Sequence, residues 1–217
     1  MPTALFSTYN KAGVVEFAKS LHRLGWKIIA SGGTAKAISD AHIPVTDIAT
    51  VVGEPILGHR VVTLSREVHA GLLAQRTPED RAELERLGID FIDLVYVNLY
   101  PLVEEIGKSE ATIETVTEKT DIDGPTMLRS AAKGRRFVIT NQDAATAVLQ
   151  HLESNGGLPI EDDELLQTLA ASAEQLVATY CLASAIALTP NVTNRRRLLS
   201  TAYHQITGSV LHIGFNK

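Results

Sequence analysis

Cys181 is the only cysteine in 217 residues, so an intrachain disulfide and a cysteine-based metal cluster are both excluded. No apolar run reaches the roughly 18 residues of a membrane span. Met1–Phe6 lacks the basic-then-apolar order of a signal peptide. Basic charge is in short supply: 20 lysines and arginines against 25 acids give a formal net charge of −5, which argues against general affinity for nucleic acid. GxSxG is missing, and no Ser–His–Asp or Cys–His arrangement can be argued. His59 and His69 have no second ligand at metal spacing, so no metal is expected. What remains is the composition of a soluble, cytoplasmic globular chain, 45% apolar and 21% charged, large enough for one sizeable α/β core.

Short apolar runs alternate with helical patterns. Ala4–Ser7, Trp26–Ala30, Val61–Leu64, Phe91–Leu99 and Phe137–Thr140 read as strands, several apolar at successive positions as in a parallel sheet covered on both faces. Helices are expected at Gly13–Gly25, Thr34–Ala41, Pro78–Leu87, Ile113–Lys119, Pro125–Lys133 and Ala144–Ser154. Ser154–Leu158 is a glycine-containing break. A long alanine-rich helix then runs from Glu161–Glu164 to about Leu188, where Pro190 ends it. The β-then-α order predicts an α/β fold with a doubly wound, mainly parallel sheet and a C-terminal helical extension. The tail 189–217 carries Arg195–Arg197, read as a solvated basic face.

SGGT at Ser31–Thr34 lies between an apolar strand and a helix start, the arrangement that makes an anion seat. Glycines admit a close ligand, and the leading amides of a helix point outward at the positive end of its dipole. Other chemistry-bearing residues fall at strand or helix ends: Lys11, Arg60, Thr63, Asn98, Tyr100, Asp121 and Lys133. Together they are parts for holding a phosphorylated, hydrogen-bond-rich small molecule and moving protons on it.

Five blocks, SGGTAKAI (31–38), GHRVVTL (58–64), VHAGLLA (68–74), DLVYVNLYP (93–101) and DIDGPTMLRSAAK (121–133), resemble in order the IMP cyclohydrolase domain of the bifunctional purine-biosynthesis enzyme. That domain is joined to AICAR formyltransferase and has the methylglyoxal-synthase-like fold. The resemblance runs from about residue 4 to about 188 and implies one domain over 1–188, without the formyltransferase half. It implies closure of formyl-AICAR to IMP with loss of water, without metal or organic cofactor. Ser31, Gly32, Gly33 and Thr34 would cradle the 5′-phosphate, with Lys11 and Arg60 nearby. Thr63, Asn98 and Asp121 would contact base and carboxamide, Lys133 would exchange a proton with the formyl oxygen, and Tyr100 would assist. The partners implied are the purine ribotides, a separate formyltransferase and, with the alanine-rich helix 163–188, a second copy of the chain; nucleic acid and membrane are not among them.

The chain also departs from the pattern. Where the resembling enzymes read RVKTLHP it has Val62 and Ser65, and where they read SVSDKTG it has Tyr9. A glycine of IDIGG is Asp123, and the AsnHis after the lysine is Gly134-Arg135. A lost cation costs a charge-assisted bond, on the order of 1.5–3 kcal/mol. A nucleotide-binding protein without catalysis, or a same-fold enzyme for a different ribotide, therefore stands as the alternative.

Overall fold

The computed structural model describes residues 1–58 and 60–190; His59 and the stretch with Arg195–Arg197 lie outside the described residues. Its elements are β1 (Thr3–Thr8), α1 (Val14–Arg23), β2 (Lys27–Ala30), α2 (Gly32–Asp40), β3 (Thr46–Asp47), α3 (Ala49–Val52), α4 (Arg66–Leu73) and α5 (Pro78–Leu87). There follow β4 (Leu94–Asn98), α6 (Leu102–Ile106), α7 (Ile113–Glu118), α8 (Asp123–Lys133), β5 (Phe137–Ile139), α9 (Gln142–Ser154) and α10 (Asp163–Leu188). The described residues divide into two compact units, 1–100 with 121–177, and 101–120 with 178–190.

The first unit is the α/β fold. Its five strands are all parallel, in the order β3-β2-β1-β4-β5, with Leu5 opposite both Ile29 and Val95 and Val95 opposite Val138. Ala4, Leu5 and Phe6 are apolar at successive positions because β1 is covered on both faces, and all three are fully buried. Helices cover the two faces: α1 meets α9, and α4 meets α8. At the amino-terminal edge Asp93 ties three segments together. Its Oδ2 accepts from the Thr3 amide at 2.9 Å, its Oδ1 pairs with Arg76 at 3.0 Å, and its carbonyl accepts from the Phe137 amide at 3.1 Å.

Two expected elements differ. Val61–Leu64 is not a strand: its one bridge is the antiparallel pair Ile56–Val61, and the segment has no ladder. The expected strand from Phe91 begins instead at Leu94: the Ile92 amide donates to the Gly71 carbonyl of α4 at 3.1 Å, and the Phe91 ring lies under guanidinium groups, with Arg136 at 4.0 Å and Arg76 at 4.8 Å from its centroid. By length and composition α10 is apolar enough to cross a membrane, against the expectation that no apolar run reaches that length; its apolar residues are interspersed with polar ones, so they show in the average and not as a run. In the first unit its Leu166, Leu169, Ala173 and Val177 join the core and its Glu174 pairs with Arg129 at 3.1 Å.

The second unit contains α6 and α7. A reciprocal pair of bonds between Thr112 and Thr115 caps α7, and Tyr180 on the last part of α10 donates to the Lys119 carbonyl at 3.2 Å.

Gly134 ends α8 against the Leu72 carbonyl of α4, so close that a Cβ has no room there. Only glycine fits, which gives a physical reason for this departure from the resembling enzymes. Gly134→Ala must push two helices apart and should cost at least about 2 kcal/mol, or about 4–8 °C in Tm. An unchanged melt would mean that the α4–α8 contact is looser than described.

Candidate functional site

Parallel strands bring their carboxyl ends to one edge, and the crevice of an open sheet lies where the strand order reverses. Here the chain winds from β1 outward to β2 and β3, then returns to place β4 on the other side of β1. The loops after β1 and β4 therefore meet.

Asn98 joins them. Its Oδ1 accepts from the Tyr9 amide at 2.6 Å and the Asn10 amide at 2.9 Å, and its Nδ2 donates to the Asn10 carbonyl at 2.9 Å. The carboxamide expected to meet a base thus clamps the loop that carries Tyr9 and Lys11. Lys11 turns its ammonium onto the Thr8 and Tyr9 carbonyls, and burial lowers its pKa.

On the other side of β1 stands the turn into α2. Thr34 is buried, and its hydroxyl donates to the Thr8 carbonyl at 3.1 Å and lies 3.2 Å from the Thr8 amide. Thr34 is a strut between helix and strand more than a hydroxyl offered to a ligand. Ser31 lies 3.1 Å from Ser7, and its carbonyl accepts from the Thr34 amide at 2.8 Å. Gly32 and Gly33 lead the helix, both exposed, with open space where a Cβ would stand. Gly32 has a φ of +35°, a value that favours glycine. Of the turn expected to seat an anion, these two glycines are the part that faces open space.

The third wall is Tyr100 with the turn 121–124. Asp121 is half-buried and accepts from the Gly124 amide at 3.0 Å. Burial raises its pKa and the charge of Asp123 adds to this, against the lowering effect of the backbone bonds. Tyr100 is raised as well, first by burial, then by the charges of Asp121 and Asp123 and by Tyr9. Tyr9 and Tyr100 stand edge to face with centroids 5.4 Å apart, each about half exposed. A phenol that stays protonated beside a carboxylate of raised proton affinity is a donor next to an acceptor.

Asp123 completes this wall. Its Oδ2 accepts from the amides of Val62 at 2.9 Å, Thr63 at 2.7 Å and Leu64 at 3.3 Å, and from the Thr63 hydroxyl at 3.3 Å. Thr63 is therefore buried with its polar atoms turned to Asp123. Close by in α4, His69 contacts Ser130 at 2.9 Å; burial lowers its pKa while the Asp123 charge raises it.

Two further expected site residues are exposed. Arg60 is exposed in the turn before Val61. Lys133 is exposed at the far end of α8, ten residues after Asp123 and therefore about 15 Å along the helix axis. It stands near the start of β5, at the opposite edge of the sheet. In the sequence Asp123 and Tyr9 stand out only as departures from the resembling enzymes; their contacts come from partners some sixty to ninety positions away.

The sign of the Asp121 shift makes a stability prediction. A carboxyl whose folded pKa lies above its unfolded one contributes stability below the unfolded value and loses it as pH rises through the folded one. Asp121→Asn keeps an oxygen for the Gly124 amide and removes the buried charge. The variant should melt higher than the parent at neutral pH, with the gap closing as pH falls below the ordinary carboxylate range. A lower Tm at neutral pH would show that the charge is stabilised and not penalised.

The MGS-like domain family matches residues 13–126, just over half of the chain. Among solved structures, the crystal structure of ForH is similar, with 33% identity and a TM-score of 0.76, over 87% of this chain and 98% of that one.

Proposed function

The chain belongs to the MGS-like domain family, and on that premise we propose that it is an enzyme acting on purine ribotides, an IMP cyclohydrolase closing formyl-AICAR to IMP. The observation that carries this reading is the pairing of Tyr100 and Asp121, both with raised pKa, in one crevice with the open amides of Gly32 and Gly33. The resemblance of the NLYP and DGPTMLRSAAK blocks supplies the substrate.

The phosphate would sit on the α2 amides, with Lys11 free to swing from the carbonyls that now hold it. Fixing both ends of one molecule converts ring closure into a reaction of aligned neighbours. Asp121 takes a proton from the carboxamide nitrogen as it attacks the formyl carbon, and Tyr100 protonates the resulting oxyanion. The Tyr100 phenolate then takes the formamide N–H proton while Asp121 returns its own to the departing hydroxyl, which leaves as water. Both groups end as they began, and no metal or organic cofactor is called for.

The resemblance gives the proton exchange to Lys133, but its distance from the crevice favours Tyr100 and Asp121. Purified protein with formyl-AICAR should show the absorbance change of purine ring formation. Asp121→Asn should lower the rate by about two orders of magnitude, as expected for a general acid–base group. Lys133→Ala should cost less than about tenfold, or 1.4 kcal/mol. The reverse ranking would return the proton exchange to Lys133, and no turnover by the parent would remove the enzyme reading.

Val62 favours a second reading, a nucleotide-binding protein without catalysis. It packs against the core where the resembling enzymes carry a lysine. Val62→Lys would place an ammonium partly inside that packing and should lower Tm with no gain in rate. A gain of about tenfold, the value of one charged hydrogen bond, would instead identify a slow enzyme that lacks a cation.

A further inference from the structure

The segment Val62–Leu64 lines the crevice wall yet belongs to no ladder and no helix. What holds it is one carboxylate oxygen sixty residues away, Asp123 Oδ2, with the Val62 and Thr63 amides at 2.9 and 2.7 Å. The Leu64 amide and the Thr63 hydroxyl approach the same oxygen at 3.3 Å. Three successive amides around one oxygen form a nest for an anionic acceptor. The other oxygen, Oδ1, is buried with no hydrogen-bond partner among the described residues. A lone buried oxygen is costly, so the carboxylate is not there for its own solvation.

We propose that Asp123 is the positioning residue of the site, fixing the Val62–Leu64 main chain beside Tyr100 and Asp121 at the heterocycle end of the ligand. This rests on the ribotide reading above. Asp123 sits two residues after Asp121 in one tight turn, where the Gly124 amide binds Asp121. Its grip therefore ties the unladdered segment to the acid–base pair in a single rigid piece. The phosphate end is built separately, by Thr34 and Thr8 on the β1–α2 side. A glycine at position 123, which the family pattern carries, offers no such grip, so the latch belongs to this chain.

The two ends of the ligand can be read independently with IMP and ribose 5-phosphate, which share the phosphoribosyl group. Calorimetry on Asp123→Ala should show IMP affinity down by about tenfold or more, the loss of at least one charge-assisted bond. Ribose 5-phosphate should bind within about twofold of the parent, the scatter expected for a site outside the shared network. Added formate, which can refill the nest, should restore part of the IMP affinity to Asp123→Ala and change nothing in the parent. Unchanged IMP affinity, or equal losses for both ligands, overturns the proposal, the second because it signals a merely structural role. Should Asp123→Ala not fold, Asp123→Asn carries the test with a weaker neutral acceptor, and a selective loss of IMP is again required. A parent protein that binds ribose 5-phosphate and not IMP sinks the ribotide reading itself, a result that no Asp123 variant can mimic.

Discussion

The double pairing of β1 is the constraint on which the rest of the first unit depends. Every other strand takes its place by reference to it, with β2 and β3 on one side and β4 and β5 on the other. Leu5 and Phe6 are fully buried, each worth about 1.5–3 kcal/mol in area removed from water. Because the winding reverses direction at this strand, its carboxyl end is also where two connections part and leave a crevice. Stability and site therefore come from one topological fact.

The crevice is lined by loops, and loops need their backbone groups satisfied by side chains where ladders are absent. Asn98 does this for Tyr9 and Asn10, Thr34 for Thr8, and Asp123 for Val62 to Leu64. These polar residues read from sequence as ligand contacts, and much of their hydrogen-bonding capacity is spent within the chain. Their work is to fix main chain, and the groups that face outward are fewer: the exposed turn at Gly32 and Gly33 and the half-exposed rings of Tyr9 and Tyr100.

Electrostatics concentrates on the same wall. Asp121 and Asp123 stand in one turn, and each acts on Tyr100, so the phenol keeps its proton while Asp121 holds one more readily than an exposed carboxyl. Burial is the leading cause for both residues. A carboxyl raised by burial costs the fold stability once it ionises.

The sequence by itself determined the fold class and most of its elements. Successive apolar residues in Ala4–Phe6 and Leu94–Val97 read as strands covered on both faces, and Gly88 and Pro78 bracket their helix through local backbone limits. It also marked the glycine turn at 31–34, since strand, glycine and helix start are adjacent in the chain. What it left to tertiary structure is everything that depends on distant partners. Val61–Leu64 has the apolar look of a strand, but whether a run becomes one depends on a neighbour offering a ladder, and here a carboxylate offers a nest instead. Lys133 stands in the same motif as Asp121, yet a helix rising 1.5 Å per residue carries it about 15 Å away. Proximity along a chain and proximity in space part company wherever a rigid element lies between, and only the packed fold decides which residues share a site.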